Sequence, residues 1–232
     1  MKNKTLITGA ILLFLPYTAF ATVVGFGPTV GGVNDCSSGA VVACQIAPDQ
    51  APIPNPVTQN PNDGILLIWN ELQNFMLTQD LRVDRVADPD APFVQQVGND
   101  FLIIAGTVVS SHYIQWDPGA GSESRVDTSI LFDSDIFAFL TDDQNLFDSD
   151  YLGMPGIDYN DFGLRGLEGG DTTVFGTDLS TVDISWSAGS PGDWTRVVTA
   201  FSPSAVPVPA ALPLMAGALG VLGLLGRKRR RI

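Results

Sequence analysis

The sequence predicts a mainly β protein whose body is an antiparallel β-sandwich or jelly roll. Short runs of β-branched and aromatic residues recur along the chain, and clusters of Gly, Pro, Asn and Asp separate them. No convincing amphipathic helix stands between these runs. The acidic residues point the same way, because 22 of them are Asp and only three are Glu. Asp favours turns and loops over helix interiors.

The order of these runs divides the chain into a lead-in and a body. Residues 22–62 are rich in Gly and Pro and predict an extended lead-in rather than a packed element. Residues 63–202 form the predicted β-sandwich domain. Its predicted strands are, in chain order, 64–69, 75–86, 101–116, 125–132, 136–140, 172–175, 181–187 and 194–201. Residues 69–76 are also compatible with one or two helical turns.

The body is strongly acidic. All 25 acidic residues but only five arginines fall between the two ends of the chain, which gives the body a formal charge of −20. Such a charge repels nucleic acid and anionic lipid surfaces, so we expect no nucleic-acid partner. No lysine occurs between Lys4 and Lys228. This excludes Schiff-base catalysis by a lysine of the body.

Cys36 and Cys44 are the only cysteines of the chain. In an exported protein, an even pair this close in sequence predicts a disulfide that closes a small loop. A metal site would need further ligands, and the chain has a single histidine, so we expect no metal at these cysteines.

The N-terminal 21 residues have the three parts of a secretory signal peptide. Two lysines precede an apolar stretch at 6–15, a proline follows, and Ala19, Phe20 and Ala21 supply a small-residue cleavage site. Cleavage there leaves Thr22 as the mature N-terminus. An N-terminal membrane anchor is the weaker interpretation, because the apolar stretch is too short to span a bilayer.

Residues 203–232 predict a transmembrane helix with a basic tail. Residues 210–226 carry no charge and would extend roughly 25 Å as a helix, slightly short of a ~30 Å hydrocarbon core. The basic cluster that follows consists of Arg227, Lys228, Arg229, Arg230 and Arg231. Long basic side chains reach the headgroups and stay on the cytoplasmic side. The predicted topology therefore places the body outside and the tail inside.

The sequence just before the apolar segment carries a resemblance. The motif consists of Val206, Pro207, Val208, Pro209 and Ala210, and glycines then recur up to the basic cluster. This order resembles the VPLPA variant of the PEP-CTERM sorting signal, with Val208 where that variant usually has Leu. The resemblance implies processing by an exosortase in the inner membrane of a Gram-negative bacterium, in systems that accompany exopolysaccharide production. A plain C-terminal anchor that stays uncut is the alternative.

The body carries a second, less specific resemblance. Segments 106–118, 131–140, 149–159 and 192–201 look like those of a group of PEP-CTERM-bearing exported proteins that share a β-rich body. This resemblance covers most of 64–201. It implies a β fold and no established activity.

Four aspartates are candidate calcium ligands. The motif Leu-Phe-Asp-Ser-Asp occurs twice and supplies Asp133 with Asp135 and Asp148 with Asp150. Two carboxylates one residue apart can face one hard cation, and Ca²⁺ takes six to eight oxygens. The EF-hand order is absent, however, since neither a Gly turn nor a final Glu follows. Solvated loop carboxylates are the competing interpretation.

The sequence around His112 gives little support to the hypothesis that the chain is a hydrolase. Ser110, Ser111 and Asp117 lie close by in sequence, but a catalytic triad needs residues from separate elements, and no Gly-x-Ser-x-Gly motif occurs. We expect His112 to be a structural hydrogen-bonding residue.

These observations predict an exported cell-surface or exopolysaccharide-matrix protein with a structural or adhesive role and no catalytic residues. Calcium is the one candidate cofactor. The alternative is a secreted carbohydrate-active enzyme resembling a glycoside hydrolase, because two carboxylates suffice for that chemistry. The four tryptophans could stack on sugar rings in either case, although we expect at least half of them in the core.

Overall fold

The computed structural model of the chain describes residues 23–27, 36, 43–61, 63–119, 124–160, 163–189 and 191–202. These residues are mainly β, as the sequence predicts. In chain order the strands are β1 (Val23–Gly27), β2 (Ala43–Ala47), β3 (Ile65–Asn70), β4 (Phe75–Met76), β5 (Leu81–Val83), β6 (Arg85–Val86), β7 (Val94–Val97), β8 (Asp100–Ile103), β9 (Val108–Asp117), β10 (Ser124–Phe132), β11 (Ile136–Leu140), β12 (Thr172–Phe175), β13 (Thr181–Ala188) and β14 (Asp193–Thr199).

The strands form three sheets. The largest has seven strands in the order β2-β3-β9-β14-β11-β6, with β4 pairing to β9. A four-stranded sheet has the order β1-β10-β13-β12, and a three-stranded sheet has the order β5-β8-β7. All pairings are antiparallel except that of β2 with β3. The prediction of a mainly β, largely antiparallel body is therefore confirmed.

The seven-stranded sheet is covered on both faces, which explains why all seven residues of β14 are buried. Because successive side chains of a strand point to opposite faces, β14 contributes to two separate clusters. On the first face, Trp194 and Val198 pack with residues of the three-stranded sheet and of the segment 146–159. On the second face, Val197 packs with residues of the four-stranded sheet such as Trp186.

Two predicted strands are each divided in the structure. The segment 75–86 forms β4, β5 and β6, which belong to different pairings, rather than one half-buried strand. Hydrogen bonds from distant backbone N–H groups fix the positions at which the strand is interrupted. Asp80 Oδ1 accepts from Ala105 N (2.8 Å), and Asp84 Oδ2 accepts from Thr141 N. The segment 101–116 is split by a turn at Gly106, whose φ is +90°. A positive φ suits glycine, which lacks a Cβ.

The helical alternative for residues 69–76 is wrong, because Trp69 lies in β3 and 75–76 form β4. The α-helix of the described residues, α1 (Asp143–Asp148), runs into the second Leu-Phe-Asp-Ser-Asp motif. Asp142 caps it by accepting from Gln144 N (2.9 Å). A short 3₁₀ helix (Asp150–Leu152) follows. These turns place Asp150 under the seven-stranded sheet.

The predicted extended lead-in is also revised for its described residues. β1 joins the four-stranded sheet beside β10, and β2 joins the seven-stranded sheet beside β3. The predicted disulfide between Cys36 and Cys44 is confirmed. It ties the chain ahead of β2 to that edge strand.

The predicted signal peptide, sorting motif, apolar segment and basic cluster lie outside the described residues. Within the part of the chain that the structure describes, no helix is long and apolar enough to cross a membrane.

Candidate functional site

The most elaborate constellation of polar side chains lies on the first face of the seven-stranded sheet. Strand pairing builds it, because Arg196 of β14 is opposite Tyr113 of β9, and Tyr113 is opposite Trp69 of β3. Just after β3 ends, Glu71 N donates to Ser111 O (2.8 Å), which keeps Glu71 against the sheet. Arg196 and Glu71 thus meet although 125 positions separate them.

The Arg196 guanidinium is the centre of this arrangement. Its Nε and Nη2 donate to the two oxygens of Glu71 at 2.7 and 2.8 Å, a bidentate ion pair. Nη1 donates to Leu146 O (3.0 Å) and to Ser149 Oγ, and Nη2 also reaches Asp150 Oδ1 (3.1 Å). Neither side chain of the Arg196–Glu71 pair is exposed to solvent. The negative partners raise the pKa of Arg196 despite its burial.

A second arginine completes the charge balance. Arg165 Nη1 and Nη2 donate to the two oxygens of Asp150 at 2.7 and 2.5 Å, and its Nε donates to Tyr113 OH (2.6 Å). Asp150 therefore bridges Arg165 and Arg196 and keeps 24% of its side chain exposed. Burial raises the pKa of Tyr113 to about 12, so the phenol stays protonated. We call Glu71, Arg196, Asp150 and Arg165 the ionic cluster.

Aromatic rings line the ionic cluster. The Tyr113 and Tyr159 rings lie 5.0 and 5.5 Å from the Arg196 guanidinium carbon, within cation–π range. Tyr159 OH accepts from Trp69 Nε1 and from Met154 N, both at 3.0 Å. Burial raises the pKa of Tyr159 as well. Arg196, Glu71 and Arg165 are thus enclosed, and Asp150 alone of the four is partly exposed. The cluster joins the sheet to α1, the 3₁₀ helix and Arg165 and does not form an open site.

The four predicted calcium ligands have different surroundings and different hydrogen-bond partners. Asp150 belongs to the ionic cluster, and Asp133 Oδ2 accepts from Ser202 Oγ (2.5 Å). Asp148 is exposed and accepts from Gln144 Nε2 (2.9 Å), while Asp135 is exposed. Among the described residues, no group of three or more His, Cys, Asp or Glu side chains is arranged to hold a metal ion. Calcium binding stays a prediction from the sequence.

His112 is a buried hydrogen-bonded residue of the second face. Its Nδ1 lies 2.8 Å from Asn70 Oδ1 and its Nε2 lies 3.2 Å from Thr199 Oγ1. Burial lowers the pKa of His112 to about 3, against the opposing influence of Asp133. Ser110, by contrast, bonds to Asn74. The structure therefore does not assemble these residues into a triad.

A surface cleft of about 590 Å³ opens between the start of α1 and the 164–169 loop. Asp143 shapes it, because its two carboxylate oxygens accept from Gly166 N (2.5 Å) and Leu164 N (2.9 Å). Gly166 has to be glycine here, since a Cβ would lie 2.3 Å from Thr141 O. Asp142, Asp143 and Glu168 give the cleft its negative charge.

Sequence reasoning missed the ionic cluster almost entirely. The main partner of Arg196 is Glu71, which lies 125 positions away in the sequence and just beyond the end of β3. Sequence reasoning also left the tryptophans open as sugar-stacking residues, whereas all four are buried. One feature of the sequence could have indicated the cluster. The body has few arginines among many acidic residues, and an arginine within a predicted strand, such as Arg196, is expected to have a specific acidic partner.

Comparison of the chain with protein-family models, with curated proteins and with solved structures finds no match.

Proposed function

We propose that this chain is an exported cell-surface or exopolysaccharide-matrix protein with a structural or adhesive role. In this proposal an exosortase sorts it through the Val206–Ala210 motif, after transient anchoring in the inner membrane. Its four-stranded and seven-stranded sheets form the two layers of a sandwich. The sequence of the two ends supports the sorting step, and the body supplies one independent observation.

That observation is the disulfide between Cys36 and Cys44. Disulfides persist in oxidising compartments outside the cytoplasm and are rare within it. Both cysteines of the chain are used in this bond, so no thiol is left exposed to oxidation. The ionic cluster also supports a structural role, because its charged groups bind one another and join separate elements of the body.

The intact mass of the protein recovered from its native cells and medium tests the sorting step. We expect a species that starts at Thr22 and lacks everything beyond about Ala210. A matched variant with Pro207→Ala and Pro209→Ala keeps the apolar segment and the basic cluster, and it should retain the tail. Recovery of unaltered protein ending at Ile232, found only in membranes, would reject exosortase processing.

The alternative is a secreted carbohydrate-active enzyme. The observation that favours it is that two carboxylates, those of Asp143 and Glu168, line the surface cleft. A glycoside hydrolase needs two carboxylates that reach the scissile bond. A polysaccharide depletion assay separates the two functions: a binding protein is retained by the polymer, whereas an enzyme shortens it. Glu168→Gln should abolish shortening if the enzyme interpretation holds.

A further inference from the structure

Asp193 is a buried carboxyl group in an unusual position. It is the first residue of β14 and lies opposite Trp116 on the second face, with only 1% of its surface exposed. Within the described residues its Oδ2 has no hydrogen-bond partner. The backbone is closely packed here, because a Cβ on neighbouring Gly192 would lie 2.4 Å from Trp116 O. A buried, unpartnered carboxylate is costly, and a proton is the simplest way to remove its charge.

Among the described residues, the charged groups that act on Asp193 are three carboxylates. Asp117 comes from the end of β9, and Asp171 and Glu168 come from the loop before β12. That loop is fixed in place, since Asp171 Oδ1 accepts from Ser187 N (2.8 Å) and its Oδ2 accepts from Glu168 N (3.0 Å). Burial first, and these three carboxylates second, raise the pKa of Asp193 to about 8.

We propose that Asp193 is a proton-binding site that holds this end of the two larger sheets together. At neutral pH it is a neutral carboxylic acid. In mildly alkaline medium it loses the proton, which places a charge among Asp117, Glu168 and Asp171 and loosens the 163–171 loop from the start of β14. Protonation of Asp193 follows the pH of the solution around the folded body. This proposal therefore does not depend on whether an exosortase processes the chain.

The first test is the unfolding equilibrium of the full-length protein between pH 6.5 and 8, followed by the fluorescence of the buried tryptophans. The unfolded state has released the Asp193 proton throughout this range, whereas the folded state releases it only as the pH approaches 8. Unfolding therefore releases a proton, and the unfolding constant should rise by up to about tenfold per pH unit from this residue, with a slope that declines towards pH 8. Asp193→Asn resembles the neutral acid in shape and should remove that dependence.

Asp90→Asn is the matched control, because it makes the same chemical replacement at an exposed position. It should follow the wild-type curve. The range begins at pH 6.5 because below it an unfolded histidine takes up a proton and adds a slope of opposite sign. Parallel curves for the wild type and Asp193→Asn would overturn the proposal.

A second measurement keeps the proposal testable if Asp193→Asn fails to fold. In wild-type protein with ¹³C-labelled aspartate carboxyls, one carboxyl resonance should titrate near pH 8. Amide hydrogen exchange, corrected for its intrinsic pH dependence, should accelerate in the 163–171 loop over the same range. If every aspartate carboxyl is already ionised at pH 7, Asp193 binds no proton and the proposal is wrong.

Discussion

The two faces of the seven-stranded sheet treat their buried titratable groups in opposite ways, although both draw on the same strand. On the first face, Arg196 makes five hydrogen bonds, and two carboxylates balance two guanidinium groups. On the second face, three residues away, Asp193 has an unpartnered oxygen. The indole N–H of Trp116 and the hydroxyl of Thr195 are likewise without partners among the described residues.

The difference shows what each solution demands of the chain. Charges can be buried as ions only where opposite charges and donors converge from several elements, as they do around Arg196. Where they do not converge, the interior keeps a titratable group neutral, as with the acid Asp193 and the base His112. The first face should therefore respond strongly to the loss of a partner, and the second face should respond to pH.

Removing the cation of the ionic cluster should have the largest effect. Arg196→Met leaves Glu71 buried without a counter-charge, and breaking such a pair costs about 3–5 kcal/mol of unfolding free energy. Urea unfolding measures the loss. Arg82→Met is the control, because Arg82 pairs with Asp100 at the surface and should cost at most about 1 kcal/mol.

Adding Glu71→Met to Arg196→Met sharpens that test. A buried pair replaced by apolar side chains of similar volume often leaves stability unchanged or increased. We expect the double variant to regain much of the stability that Arg196→Met loses. A double variant as unstable as the sum of the two single variants would show that packing, not the uncompensated charge, explains the loss.

Loss of an uncharged hydroxyl on the same face should have a smaller effect. Tyr159→Phe removes the hydroxyl oxygen that accepts from Trp69 Nε1 and Met154 N. Each buried donor left without a partner costs about 1–3 kcal/mol. The total should stay below the cost of Arg196→Met, because no charge is left uncompensated. Chemical denaturation measures it, and an unchanged unfolding free energy would mean that water replaces the phenol.

The smallest effect concerns the second face and depends on pH. The pKa of His112 is lowered to about 3 by burial, so its stabilising contribution is present above the unfolded pKa of about 6.5 and is lost as pH falls. Asp193 contributes the opposite slope over this range. In Asp193→Asn, stability should therefore fall by about 2 kcal/mol between pH 6.5 and pH 5.

Further replacement of His112 by Gln in the Asp193→Asn protein should remove that fall. Thermal unfolding followed across the same pH range provides the measurement. A fall of equal size with and without His112 would assign the pH dependence to other groups and would weaken the view that this face relies on neutral titratable residues.

Strand positions were largely predictable because apolar alternation and β-branched composition are local properties of the sequence. Thr181–Ala188 and Ile136–Leu140 agree with their predicted ranges to within a residue. The breaks at Asp80 and Asp84 were not predictable, since distant backbone N–H groups hold them. The ionic cluster was hidden for the same reason: Glu71 and Arg196 meet only through the pairing of β3, β9 and β14.

Asp193 was hidden in a different way. Nothing in its neighbours distinguishes it from the other 21 aspartates, most of which fall in turns or at the surface as their residue type favours. Its burial follows from the tight approach of Gly192 to Trp116, which is a three-dimensional fact. The sequence could predict that acidic residues are abundant, but it could not predict which one is enclosed.

The burial of Arg165 and Arg196 has a consequence for the durability of the protein. Trypsin-like proteases cut after lysine or arginine, and the described residues contain no lysine. Two of the five arginines are enclosed in the interior, so the folded body presents only Arg82, Arg85 and Arg125 to such an enzyme. Arg82 and Arg125 are further held by ion pairs with Asp100 and Asp127. The charge arrangement that joins the sheets thereby leaves few places for digestion to begin.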